Sequence, residues 1–130
     1  DVRNEYRIEE YNWLFAAERA DSAGVDIIQS SLGYNTFDDA TMDYEKENMD
    51  GKTAIVSQAA ALALARGMVV VVSAGNEGNN SWQWVTPPAD VDGVLAVGSV
   101  TANFTKSSFS SVGPTADGRL KPDVVALGSG

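Results

Sequence analysis

The feature that most constrains the fold is an uninterrupted apolar run, Met68–Val72, that leads into the small residues Ser73–Gly75. Its four consecutive valines favour extended backbone, because side chains branched at Cβ suit a β-strand. The apolar residues do not alternate with polar ones, so both faces of this strand are expected to be covered, as in a parallel sheet between helices. The run therefore predicts a central strand of an α/β protein.

Other segments have equally readable patterns. Two stretches repeat their apolar residues with helical spacing, and three short apolar or β-branched runs are typical of strands. In chain order the segments are a helix at 8–22, a strand at 25–29, a helix at 53–66, and strands at 68–72, 94–97 and 123–126. Asp50 or Thr53 is expected to cap the second helix. This order predicts a three-layer α/β fold, a largely parallel sheet with helices on both faces.

Residues 34–51 separate the first strand from the second helix and are polar, acidic and rich in turn formers. A loop of this length indicates an insertion or a functional surface. Its carboxylates could ligate calcium, but their spacing matches no EF-hand. A solvated acidic surface is the simpler interpretation. The acidic residues concerned are Asp38, Asp39, Asp43, Glu45 and Asp50.

Composition excludes several classes of function. The 130-residue chain has a net charge of -9, which disfavours binding to nucleic-acid phosphates. It has no cysteine, so a disulfide framework, a thiolate metal site and a cysteine nucleophile are excluded. No apolar run approaches the roughly 18 residues that a membrane-spanning helix needs. We therefore expect neither a nucleic-acid partner nor a membrane segment.

Two loops, Ser30–Tyr34 and Ser73–Gly78, follow predicted parallel strands that one helix connects. Such loops lie side by side at the carboxyl edge of the sheet, where ligands of α/β proteins bind. Asn76 would present a side-chain amide there, a donor suited to stabilising a developing negative charge. Asparagine and glycine are also common in tight turns, so a purely structural turn is the alternative.

Five separated motifs occur together in one order. They are Ser31-Leu32-Gly33, the run from Val69 to Gly78, Leu95-Ala96-Val97-Gly98, Phe109-Ser110-Ser111-Val112-Gly113-Pro114 and Lys121-Pro122-Asp123-Val124-Val125-Ala126. Together they resemble the catalytic domain of subtilisin-like (subtilase) serine peptidases. The resemblance extends over nearly the whole chain, and it implies a serine endopeptidase that hydrolyses peptide bonds by Asp-His-Ser catalysis.

The resemblance implies roles for particular residues. Asn76 would be the oxyanion donor, and Ser31, Leu32 and Gly33 would pair with the substrate backbone. Ser73, Ala74 and Gly75 would form the opposite wall of the pocket for the P1 side chain, which precedes the cleaved bond. Glu77 would lie at the rim, either favouring basic P1 groups or simply solvated. No motif demands a cofactor; calcium is the one candidate cation, held by carbonyl groups at 88–94.

The resemblance also shows which groups are not in this sequence. The chain contains no histidine, and no segment matches the motif that carries the catalytic serine of the family. Residues 1–130 are therefore expected to be the central part of the peptidase domain, with the N-terminal Asp/His part and the C-terminal Ser part absent. Alone, this part is expected to be inactive. The full-length enzyme would act on peptides or proteins in a secreted or cell-envelope location.

Two alternatives remain open at this point. The chain could be a non-catalytic α/β binding module that uses Gly75–Gly78 as an anion cradle. It could also belong to a pseudoenzyme whose triad has been lost. In either case an incomplete sheet leaves an unpaired edge, which predicts self-association as a dimer.

Overall fold

A computed structural model describes residues 4–129 of the chain. This part contains two α-helices, four β-strands and two short 3-10 turns. The elements are α1 (Ile8–Ser22), β1 (Ile27–Ser30), the 3-10 turns Ala40–Met42 and Lys46–Asn48, α2 (Ile55–Ala65), β2 (Val69–Ser73), β3 (Leu95–Thr101) and β4 (Val124–Ser129).

The four strands form one sheet in the order β1-β2-β3-β4, and every neighbouring pair is parallel. The apolar run at residues 68–72 becomes β2, an interior strand flanked by β1 and β3. Ser30 pairs with Val72, so β1 and β2 end at the same level. Val72 pairs with Ala96 near the start of β3, which continues beyond them in the same direction. The predicted α/β class with a parallel sheet is confirmed.

The core lies between the two helices and one face of the sheet. Its members include Trp13 and Ala17 of α1, Val56 of α2, and Val70 and Val72 of β2. Burial alternates along β2, so the residues between these valines face the other way.

That other face of the sheet is open within residues 4–129. Ile27 is 60% exposed and Val69 50% exposed, and Leu95 and Val124 are exposed beside them. The expected helices on both faces are thus present on one face of the described part. β2 is apolar from Val69 to Val72, although Val69 and Val71 lie on this open face.

The predicted cap of α2 is wrong. Ala54 occupies the N-cap position and supplies no side-chain bond, while Asp50 Oδ1 accepts hydrogen bonds from the backbone of Lys52 and Thr53 one turn earlier. The acceptor for the first turn of α2 comes from α1 instead: Glu10 Oε2 accepts from the Val56 N–H at 2.8 Å. A carboxylate at this place satisfies an otherwise free helix donor.

Glu10 is fully buried and also accepts a hydrogen bond from the Tyr44 hydroxyl, 2.9 Å from Oε1. Burial raises the pKa of Glu10, and the hydrogen bonds from Val56 and Tyr44 oppose that shift. One carboxylate therefore joins α1, the long acidic loop and the start of α2.

The long loop is ordered by aromatic packing. The rings of Tyr34 and Phe37 are stacked with centroids 6.2 Å apart, and Phe37 meets Tyr44 edge to face at 5.9 Å. The Arg7 guanidinium lies 4.4 Å from the Tyr44 ring centroid, and Met49 is fully buried. The predicted insertion is thus a packed extension of the core.

Candidate substrate cleft

A groove of about 580 Å³ lies at the carboxyl edge of the sheet. Both predicted loops contribute to it, because β1 and β2 are neighbours and end at the same level. Among its lining residues are Ser31, Ser73, Ala74, Gly75, Asn76, Val97, Phe109, Ser110 and Leu127. The position agrees with the rule that α/β proteins bind ligands beyond the carboxyl ends of their strands.

Asn76 is exposed at the end of β2 and lines this groove. Its side-chain amide makes no hydrogen bond with residues 4–129, so the donors are available to a ligand. Gly75 precedes it with φ +109°, a conformation that side chains other than hydrogen strongly disfavour. This turn directs the chain out of the sheet and into the groove.

The main chain around Asn76 is held from outside by Phe109–Ser111. The Ser111 N–H donates to Gly75 O at 3.0 Å, and the Gly78 N–H donates to Phe109 O at 2.8 Å. The Glu77 N–H donates to Ser111 Oγ at 3.0 Å. These three bonds bracket Asn76 on both sides, so its backbone is fixed while its side chain remains free.

The support of the Asn76 loop by Phe109–Ser111 could not be predicted from local pattern, because the two segments lie some thirty residues apart in the chain. Close packing explains why glycine is required at Gly78: a Cβ there would overlap Ser110 O. The glycine at position 78 and the serines of the later segment are visible in the sequence, but neither feature identifies the other as its contact.

Of the predicted substrate-binding segment Ser31-Leu32-Gly33, only Ser31 lines the groove. Ser31 is exposed and lines the groove, whereas Leu32 is half exposed and lines a separate cavity of about 260 Å³ with Trp13 and Ile28. Gly33 lies outside the groove, and a Cβ on it would overlap Thr86 Oγ1. The structure therefore brings Ser31 together with Asn76 and places Leu32 and Gly33 to one side.

Glu77 is half-buried and does not line the groove. Its carboxylate accepts a hydrogen bond from Asn80 Nδ2. Trp82 and Trp84, which follow in the same loop, pack against the core, and Lys46 Nζ lies 5.2 Å from the Trp84 ring centroid. The loop after Asn76 thus turns its large side chains away from the groove.

No group of three or more histidine, cysteine, aspartate or glutamate side chains within residues 4–129 is placed to hold a metal ion. In the segment 88–94, Asp90 is fully buried and accepts hydrogen bonds from Ser57 Oγ at 2.6 Å and the Gly51 N–H at 2.8 Å. Burial raises the pKa of Asp90. Calcium binding by carbonyl groups in this segment stays a prediction.

A parallel sheet, a glycine-rich turn after an interior strand and a free amide in a groove at the carboxyl edge define an α/β protein with a ligand cleft. The model of the subtilase family, peptidase S8, matches residues 2–130. The chain therefore belongs to the subtilase family, as its motifs indicated.

Individual relatives agree with this assignment. The chain is 40% identical over 97 residues to Subtilisin DY of Bacillus licheniformis, covering 74% of this chain and 30% of that protein. It is 37% identical over 111 residues to Serine protease AprX of Bacillus subtilis (strain 168), covering 80% of this chain and 23% of AprX. The chain thus spans less than a third of the length of these relatives.

Solved structures show the same fold. The self-cleaved protease domain of PatA matches with a TM-score of 0.64 and 27% identity, covering 87% of this chain and 37% of that one. The PatG macrocyclase in complex with peptide matches with a TM-score of 0.66 and 24% identity, covering 92% of this chain and 31% of that one.

No helix within residues 4–129 combines the length and apolarity needed to cross a bilayer.

Proposed function

We propose that residues 1–130 are the central part of a serine endopeptidase domain and supply its oxyanion donor and substrate walls. The observation that carries this proposal is the Asn76 side chain, an unbonded amide on a fixed main chain in the groove. Membership of the subtilase family supports the reaction class. The substrates are peptides or proteins.

Attack of a serine hydroxyl on a peptide carbonyl produces a tetrahedral intermediate whose oxygen carries negative charge. The Asn76 Nδ2 donates a hydrogen bond to that oxygen. Because Phe109–Ser111 already holds the loop, this donor needs little reorganisation as the charge develops. The bond forms mainly in the transition state and so acts on kcat more than on KM.

The substrate main chain runs as an added extended strand along Ser31-Leu32-Gly33, of which Ser31 lines the groove. Ser73-Ala74-Gly75 forms the facing wall of the P1 pocket. Glu77 contributes to the rim, and its contact with Asn80 favours a structural carboxylate over one that selects basic P1 groups.

The remaining catalytic groups belong to other parts of the full-length protein. The chain contains no histidine, so it cannot provide the imidazole that would deprotonate the serine. We place the aspartate and histidine of the triad N-terminal to this part and the serine C-terminal to it. The 130-residue chain alone is then inactive.

The oxyanion role is tested by Asn76→Leu in the full-length protein, since leucine has a similar size and no donor. We expect kcat to fall by about 10²–10³-fold with KM little changed, a magnitude taken from a subtilisin asparagine and not calculated for this chain. Asn103→Leu, at an exposed asparagine outside the groove, is the matched control. A normal kcat with a lowered melting temperature would assign Asn76 to the turn alone.

An anion cradle is less well supported. Such a cradle leads directly into the N-terminus of a helix, whereas residues 76–94 contain no helix. A pseudoenzyme differs from the proposed peptidase only in the triad, so it predicts no turnover by the full-length protein on any peptide.

Three lesser proposals accompany the main one. The open sheet face and the β1 edge support a two-fold dimer of the isolated part, because exposed Ile27 and Val69 would be covered. The full-length enzyme is secreted or located in the cell envelope. Calcium, if bound, is held by carbonyl groups at 88–94.

A further inference from the structure

Lys106 lies at the start of a turn whose far end supports the Asn76 loop. Its Nζ donates hydrogen bonds to Ser107 O and Ser110 O, each at 3.1 Å, and Ser108 O lies 3.5 Å away. A lysine ammonium carries three donors and no acceptor, so it suits a set of converging carbonyl oxygens. The side chain therefore bends back over its own turn and holds it from within.

The Ser110 carbonyl that Lys106 holds also packs against the Asn76 loop. A Cβ added to Gly78 would overlap Ser110 O, and the Gly78 N–H donates to the preceding carbonyl, Phe109 O, at 2.8 Å. Two successive carbonyls thus contact Gly78, one through a hydrogen bond and one through close packing. A rotation of the Ser110 carbonyl would therefore displace Gly78, which lies two residues after Asn76.

The hydroxyl of Ser110 is attached to β3, whereas its carbonyl is held by Lys106. Ser110 Oγ accepts from the Ser99 N–H at 2.9 Å, and the Ser107 N–H donates to Ser99 O at 2.9 Å. Among residues 4–129, no second donor bonds to Ser110 O. The orientation of this carbonyl therefore depends on the lysine, and a hydrogen bond from a charged donor is stronger than one from a neutral group.

We propose that Lys106 is a positioning residue for the oxyanion donor. Its ammonium orients the Ser110 carbonyl, this carbonyl fixes Gly78, and the fixed main chain keeps the Asn76 amide in the groove. The inference rests on the proposed function of Asn76 and adds a residue that acts through it. Because the bond from Asn76 forms mainly in the transition state, a loosened donor lowers kcat and leaves KM nearly unchanged.

The test replaces Lys106 by methionine in the full-length protein, since methionine keeps an unbranched apolar side chain and loses the three donors. We expect Lys106→Met to lower kcat about 10-fold and to change KM by less than about 2-fold. This loss is smaller than the roughly 10²-fold loss that follows displacement of a catalytic group by about 1 Å, because the loop loosens without a clash. Lys106→Arg keeps the charge, but its planar fork does not match two carbonyls that converge on one point, so kcat should fall about 3-fold. This variant carries the test if Lys106→Met does not fold.

Lys52→Met is the matched control. Lys52 is exposed, and its side chain makes no hydrogen bond within residues 4–129, so the variant removes the same charge without releasing a carbonyl. Its kcat should be unchanged. An equal fall in kcat in Lys52→Met and Lys106→Met would assign the effect to net charge and overturn the role of Lys106.

A double-mutant cycle separates positioning of the donor from general stabilisation of the fold. With active sites titrated so that only folded enzyme is counted, Lys106→Met in an Asn76→Leu background should lower kcat by less than about 2-fold, since no donor remains to be positioned. An equal loss in both backgrounds, or an unchanged kcat in Lys106→Met, overturns the role of Lys106 and leaves the oxyanion proposal standing. A normal kcat for Asn76→Leu alone overturns both.

Discussion

Two polar loops of this protein differ in whether their side chains or their backbone groups form the hydrogen bonds within the protein. In the acidic insertion at 34–51, the carboxylates accept hydrogen bonds from the protein itself: Asp38 accepts from the Glu5 N–H, Asp43 from the Phe37 N–H, and Asp50 from the Lys52 N–H. In the loop after β2, the backbone is engaged and the Asn76 side chain is free.

The difference shows that charge alone is a poor marker of a binding site. The insertion holds the densest cluster of acidic residues in the chain, yet those carboxylates stabilise turns, as short polar side chains commonly do. The loop at 73–78 has one acidic residue, and its first four residues line the groove of about 580 Å³. A donor left unbonded on a main chain fixed by other segments is the more specific indication of function.

The largest effect is expected from Gly78→Ala, which tests whether the main chain held by Phe109–Ser111 positions Asn76. A Cβ at this position would overlap Ser110 O, so the Asn76 loop or its support must shift. Because displacement of a catalytic group by about 1 Å can lower a rate 10²-fold, we expect kcat of the full-length protein to fall by about that factor. Steady-state kinetics beside a thermal melt measure both effects.

Gly118→Ala is the control for that experiment. Nothing lies within 4 Å of a Cβ at Gly118, although its φ of +85° disfavours alanine. Strain of this kind costs about 1 kcal/mol of stability and should leave kcat unchanged. Equal losses of kcat in the two variants would contradict the view that Phe109–Ser111 positions Asn76.

Glu10→Leu tests the structural role of the insertion, because Glu10 of α1 bonds to Tyr44 of the insertion. This change leaves the Val56 N–H and the Tyr44 hydroxyl without their buried acceptor, so we expect unfolding free energy to fall by about 1–3 kcal/mol. Glu18→Leu, at an exposed position of the same helix, should change it by less than about 0.5 kcal/mol. Urea unfolding distinguishes the two, and a similar loss in both would show that Glu10 makes no special contribution.

Glu10 also predicts a pH dependence. Burial raises its pKa in the folded protein above the ordinary value of 4.5, so the folded state binds this proton more tightly than the unfolded state. Its contribution to stability is therefore complete below pH 4.5 and is lost as the pH rises through the raised value. Glu10→Gln should flatten this part of the melting-temperature profile, while the similarly raised pKa of Asp90 leaves a residual slope of the same sign.

The smallest expected effect is that of Asp43→Ala. It removes the acceptor of the Phe37 N–H, a 2.7 Å bond, and should lower the unfolding free energy by about 1 kcal/mol with no change in kcat. Asp43→Asn keeps an oxygen acceptor and should lose less. A fall in kcat in either variant would contradict the conclusion that the carboxylates of the insertion stabilise turns and take no part in the site.

Local pattern predicted much of the fold. The helix predicted at 8–22 matches Ile8–Ser22, and the strand predicted at 68–72 is displaced by one residue from Val69–Ser73. These elements follow from side-chain periodicity and from the conformational preference of valine, which act over a few neighbouring residues. The position of Asn76 at the carboxyl edge followed from the same argument.

Contacts between distant segments could not be predicted in this way. A glutamate is ordinarily expected on the exposed face of a helix, yet Glu10 is fully buried and accepts hydrogen bonds from Val56 and Tyr44. No motif includes Thr86, yet its side chain is buried where Gly33 and Gly75 approach it. Each case needs a partner that periodicity does not specify, and so each required the three-dimensional structure.

The strand order has a consequence for how the chain folds. Because β1, β2, β3 and β4 are neighbours in the order in which they occur, each strand can pair with the one before it after a single crossover. The first crossover is the longest, since Ile27 pairs with Val69 across the whole insertion. Closure entropy grows only as the logarithm of loop length, about 0.6 kcal/mol for each doubling. The insertion therefore delays the first strand pairing only modestly, and the sheet can grow one strand at a time from its β1 edge.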